Sequence, residues 1–164
     1  MKKRIIVKIG DVFEVPIEGG WKRYFQLIAR DSLELNSDVV RVFRARYKAT
    51  ETPELEKIVR DEVELHIHLF IKIGIKEVAW SKIGNASIGP DFELPHFRDS
   101  QDYGNPSVKI SKRWNVWKIN DRNPTYVGEL APEFQNYNIG GVWPVDALLE
   151  ILNTGKSSWV YPGY

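Results

Sequence analysis

The sequence has no cysteine, one methionine and three histidines in 164 residues. The lack of cysteine excludes a disulfide framework, a thiol nucleophile, an iron–sulfur cluster and a thiolate metal site. An excess of charge of one sign is also missing. Lys and Arg number 23 against 22 Asp and Glu, a formal net charge of +1, so no strong field draws the chain toward nucleic acid or anionic lipid. Apolar runs are short: Ile5-Ile6-Val7 is broken by Lys8, whereas a signal-peptide core needs about 7–15 apolar residues and a membrane span about 18. The expectation is a cytoplasmic protein without membrane association. Familiar catalytic signatures are absent too. There is no Gly-x-Ser-x-Gly elbow, no Gly-rich loop ending in Lys-Ser or Lys-Thr, no Gly-x-Gly-x-x-Gly turn and no His-Glu-x-x-His helix. Neither a catalytic residue nor a cofactor is expected.

What the chain does have is apolar content of 43%, with 12% aromatic residues, enough for one core and one domain over residues 1–164. Period-2 alternation dominates its first half. In Val63-Glu64-Leu65-His66-Ile67-His68-Leu69-Phe70-Ile71-Lys72-Ile73 every odd position is aliphatic, which predicts a strand with one buried face. Val12-Phe13-Glu14-Val15-Pro16-Ile17 predicts an earlier strand, and residues 21–29 and 39–47 two more, giving a three-stranded meander. Thr52 as cap and Pro53 at the first helical position predict a short helix carrying Leu55, Ile58 and Val59. Residues 108–119 and 125–127 predict two further strands. A last helix follows Pro144, with Val145, Leu148, Leu149 and Leu152 on one face and Gly155 as a left-handed cap. The fold class is mainly β, α+β in the broad sense: a curled antiparallel sheet or SH3-like small barrel with a short mid-chain helix and a C-terminal helix. Residues 84–107 show no usable period and read as a long irregular loop insertion.

Three constellations could carry chemistry. His66-x-His68 on one strand has the spacing to share a metal ion, with His96, Glu64 or Asp91 as further ligands; the alternative is two histidines on the polar face of the strand, and no metal site is assigned. Arg41, Arg44, Arg46 and Lys48, interleaved with Phe43 and Tyr47, could bind single-stranded RNA, but alternation splits them between two faces amid nearby carboxylates. Trp114-x-x-Trp117 puts two indoles on opposite faces, one in the core and the other exposed or under the loop. Six tryptophans could build a sugar-stacking platform or simply fill a core.

The opening Lys8-Ile9-Gly10-Asp11-Val12-Phe13-Glu14-Val15-Pro16, the strand with Tyr24-Phe25-Gln26, and Trp80-x-x-Ile83-Gly84-Asn85 together resemble the immunity protein 26 family. The resemblance implies a bacterial immunity protein of a polymorphic toxin system, which binds a cognate toxin domain and blocks it without chemistry of its own. The same Gly-Asp opening also resembles SH3-like toxins of the growth-inhibiting ribonuclease kind, so an RNA-binding protein or endoribonuclease is the alternative. On the first reading the partner surface is expected in the long loop, at Phe92, His96, Phe97, Arg98 and Tyr103, since aromatic residues and Arg form interface hot spots. The competing role for Phe92 and Phe97 is to staple the loop onto the sheet beside Trp114 or Trp117. Specific nucleic-acid binding is not expected.

Overall fold

In a computed structural model, which describes residues 4–122 and 124–164, the chain opens with four strands, β1 (Asp11–Ile17), β2 (Trp21–Asp31), β3 (Ser37–Phe43) and β4 (Tyr47–Lys48). Helix α1 (Leu55–Val59), strand β5 (Val63–Leu69), helix α2 (Ile71–Lys76) and strand β6 (Ser81–Asn85) follow. Then come β7 (His96–Ser100), β8 (Trp114–Lys118), β9 (Thr125–Gly128), a 3-10 turn (Pro132–Phe134), β10 (Asn138–Ile139), β11 (Val142–Trp143) and α3 (Val145–Thr154).

The strands form two sheets. The larger runs β11-β5-β3-β2-β1-β6, with β4 added alongside β2; the smaller runs β10-β7-β8-β9. The expected meander is present as β1, β2 and β3, paired antiparallel. The sheet is not a barrel. Its edge strands β6 and β11 are not paired with each other among the described residues, and the reason lies in the side chains. Along β1 to β3 both faces are apolar: Phe13, Val15, Phe25, Leu27, Val40 and Val42 belong to one cluster, while Val12, Tyr24 and Phe43 belong to a second and Ile28 and Val39 to a third. A small barrel buries one face of its strands; this sheet needs cover on both. Leu148 and Leu152 of α3 cover the first face, and α1 and the small sheet cover the other.

Helix α3 matches its prediction, with Pro144 as N-cap and Gly155 closing it at φ 71°, a left-handed conformation that costs glycine little. Three other expectations need correction. Helix α1 has Glu54 rather than Thr52 at its N-cap, and no side chain caps it. The strand predicted through Ile73 ends at Leu69, where the chain turns into α2 so that Ile71 and Gly74 pack inward beside Trp80. Residues 84–107 are not loop throughout, because β7 lies inside them.

Gly74 is a contact point. A Cβ added there would sit 2.0 Å from Cζ2 of Trp80, whose indole is buried, crosses Phe25 edge-on at 5.3 Å and donates from Nε1 to the Ile71 carbonyl at 3.0 Å. Alanine at this helix position gains roughly 1 kcal/mol of propensity, but overpacking a full core costs about 1–3 kcal/mol. Gly74→Ala is therefore expected to lower the urea midpoint, and an unchanged or higher midpoint would show that Trp80 is free to move.

Candidate functional site

The motifs on which the sequence resemblance rests meet at one place, and their job there is structural. Asp11 pairs with Asn85 across β1 and β6. The fully buried Asp11 carboxylate accepts from the Lys8 N–H at 2.8 Å, Asn85 Nδ2 at 2.8 Å and Lys82 Nζ at 2.7 Å. Burial alone would raise its pKa; the Asn85 and Lys82 donors and the Lys8 amide outweigh burial and hold it below the usual value. Gln26 donates from Nε2 to the carbonyls of Gly10 and Ala86 at 3.1 and 2.8 Å. Gly10 has φ 92°, and a Cβ on it would lie 2.6 Å from the Ala86 oxygen, so a larger residue fails on both counts. Together these contacts clamp the β6 edge to β1.

The histidine pair is on the face of β5 opposite the aliphatic one, as alternation requires, but that face is covered. His68 is fully buried, 4.4 Å from the Phe97 ring, with Nδ1 3.0 Å from Ser37 Oγ and 3.7 Å from Asp31 Oδ2. His66 lies opposite Arg41 in the sheet, and its backbone N–H donates to Asn138 Oδ1. Burial lowers the pKa of both to about 4, opposed at His68 by Asp31 and reinforced at His66 by Arg41. Both are therefore neutral at pH 7. Among the described residues no group of three or more His, Cys, Asp or Glu could hold a metal ion.

The arginines are dispersed. Arg41 binds Gln26 Oε1 through Nε and Nη2 at 2.9 and 2.6 Å, Arg44 pairs with Glu62 at 3.4 Å, and Arg46 reaches the Leu152 carbonyl at 3.2 Å. They form no common groove for a nucleic-acid backbone. Trp114 and Trp117 do lie in different clusters, yet both are buried. Of the other tryptophans, Trp80 and Trp143 are buried and Trp159 is half-buried, leaving Trp21 the most exposed at 38%.

The five residues expected at a partner surface part company. Phe97 is fully buried, its ring 5.9 Å from Trp117, which is the stapling role. Arg98 is buried on the other face of β7, donating from Nε to the Tyr137 carbonyl with its guanidinium 5.2 Å from the Trp114 ring and 4.8 Å from that of Tyr164. Phe92 packs half-buried against the cluster around Phe97, 5.6 Å from the Arg41 guanidinium. His96 is half-buried and stacked on Tyr137 at 4.7 Å. Tyr103 is 47% exposed.

Tyr103 stands at a pocket that sequence reading missed. Asp99, Gly140, Gly141, Val142, Pro144 and Trp159 complete its lining, around a volume of about 320 Å³. The Tyr103 and Trp159 rings meet edge to face at 5.7 Å. Asp99 receives the Tyr161 hydroxyl at 3.1 Å and the Ser100 N–H at 2.8 Å, both on Oδ1. Burial raises the Asp99 pKa against those two hydrogen bonds. An adjoining apolar groove of about 520 Å³ shares Val142 and Pro144 and is lined further by Phe70, Ile73, Trp143 and Val145, with Glu77 and Asp146 as its only charges. Phe70 and Ile73 are each 44% exposed. The short glycine link between β10 and β11 joins the two sheets here. Gly140 donates to the Arg98 carbonyl at 2.7 Å, and a Cβ on it would collide with Trp117 at 2.2 Å.

Across the core of this fold, residues 8–109, the sequence matches the family model described as immunity protein 26. The chain belongs to the immunity protein 26 family. No curated protein and no solved structure is matched. The immunity protein 26 match takes in β1 to β7, with the Asp11–Asn85 clamp, Asp99 and Tyr103, and ends before β8. In this family member the pocket is thus composite: Asp99 and Tyr103 come from the matched part, while its remaining lining comes from residues beyond it. No helix among the described residues is long and apolar enough to cross a membrane.

Proposed function

We propose that the protein binds a cognate bacterial toxin domain and neutralises it by stoichiometric protein–protein inhibition, as the immunity component of a polymorphic toxin system. The observation that carries this reading is the family match over residues 8–109. The surface chemistry supports it. Among the exposed large apolar side chains, Phe70, Ile73 and Tyr103 line two adjoining depressions, the mixture of apolar anchors and polar groups that interface centres display. Of the five loop residues, Tyr103 is the most exposed and would touch a partner directly; Phe97 and Arg98 would act by holding the strand before it in place.

Charge fits an inhibitor that does not imitate nucleic acid, since the net charge is +1 and the arginines are tied up singly. The test is co-expression with the toxin domain encoded beside its gene. Cells expressing both are expected to survive, and the two proteins to co-purify; death despite soluble expression of this protein would count against the reading.

A further inference from the structure

We propose that the pocket formed by Asp99, Tyr103 and Trp159 receives an arginine side chain of the cognate toxin. This rests on the immunity reading above and names the group that the pocket selects. The carboxylate is the first argument. Both of its internal hydrogen bonds fall on Oδ1, and Oδ2 accepts none among the described residues. Asp99 also has no ion-pair partner within 4 Å among them, although it is only half exposed. A carboxylate that has lost part of its hydration without gaining a cation gains most from a partner that supplies one.

The walls are the second argument. Tyr103 and Trp159 line the same pocket as Asp99 and meet edge to face there, and a planar guanidinium stacks on aromatic rings while its forked N–H groups reach a carboxylate, which a lysine ammonium does less well. Size is the third. A volume of about 320 Å³ lies at the bottom of the roughly 300–1,000 Å³ range of ligand pockets, room for one long side chain. The neighbouring apolar groove, with Phe70 and Ile73 exposed, gives the residues flanking that arginine a surface to bury.

Asp99→Asn is the discriminating variant, because the amide oxygen still accepts from Tyr161 and Ser100 while the charge is gone. Calorimetric titration with the toxin domain is expected to show affinity about 30-fold weaker or more for the variant, with an unchanged melting temperature. Equal affinities would overturn the arginine pocket and leave the immunity reading standing, whereas failure of the wild-type protein to bind the toxin would remove the reading and the inference with it. Should the variant fold poorly, the wild-type protein is titrated with N-acetyl-L-argininamide and followed by NMR. Saturable shifts at the Gly140 and Gly141 amides and the Trp159 indole, not reproduced by N-acetyl-L-glutaminamide, are expected. No saturable shift, or an equal one with the glutamine amide, would overturn the proposal.

Discussion

Phe97→Ala is expected to cost about 3–5 kcal/mol of unfolding free energy, the usual result of truncating a fully buried aromatic ring. For a domain of this size each kcal/mol shifts the midpoint by roughly 2–4 °C, so melting should fall by about 10 °C. The ring has 0% exposure and is packed between His68 at 4.4 Å and Trp117 at 5.9 Å, so it is the point where the small sheet is pinned to the large one. Adding Arg98→Ala removes the donor to the Tyr137 carbonyl and the group layered against Trp114 and Tyr164. That double variant should be less stable still, while Tyr103→Ala, at an exposed position, should stay within about 1 kcal/mol of wild type. Chemical denaturation measures all three. A Phe97→Ala protein as stable as wild type but unable to protect against toxin would mean that the ring faces the partner, contrary to the packing described here.

The second large effect is on acid stability. His66 and His68 have folded pKa values near 4, below the roughly 6.5 of an unfolded histidine. Between those values the unfolded chain binds protons that the folded one does not, so stability rises with pH and is lost as pH falls from about 6.5 toward 4. Each histidine contributes up to about 1.4 kcal/mol per pH unit in that window. Moving from pH 7 to pH 5 should therefore cost on the order of 3–4 kcal/mol for the pair, before most carboxylates titrate. Denaturation curves at intervals across that range test it, and His68→Gln should make the dependence about half as steep whatever its own stability. The opposite slope would show that His68 is charged in the folded protein and paired with Asp31, 3.7 Å away.

These two predictions concern the part of the molecule that was least legible in the sequence. Alternation in β5 correctly assigned Ile67 and Leu69 to the first core and the histidines to the other face. It could not say that the other face is roofed, because the roof comes from β8, which lies inside the strand predicted over residues 108–119, together with β7, whose own pattern is obscure: in His96-Phe97-Arg98-Asp99-Ser100 only Phe97 is apolar, although Arg98 and Ser100 are buried as well. A strand between two covered surfaces, satisfying its polar side chains locally, shows no period. Helix α2 was hidden for the opposite reason. The aliphatic alternation runs on through Ile71 and Ile73, and only the packing of Gly74 under Trp80 shows that the chain has turned.

Helix α3 was fully legible, since a 3.6-residue stripe bounded by Pro144 and Gly155 has no competing reading. The Gly10-Asp11 and Ile83-Gly84-Asn85 motifs stood out individually, but their meeting in one clamp depends on β1 pairing with β6. Of the lining of the Asp99 pocket, only Tyr103 was singled out in the sequence for a partner surface. The pocket's walls come from β7, the link between the sheets and the segment after α3, positions that only the fold brings together.

Titrating the activity of the toxin domain with the purified protein tests the proposed inhibition by a complex of fixed stoichiometry. Residual toxin activity is expected to fall in a straight line and reach zero at a fixed whole-number ratio of the two proteins, with intact toxin recoverable from the complex. Loss of activity at a small fraction of one equivalent would indicate that the protein modifies its target catalytically, and undiminished activity at excess would show that it is not the inhibitor; either result would overturn the proposed stoichiometric inhibition.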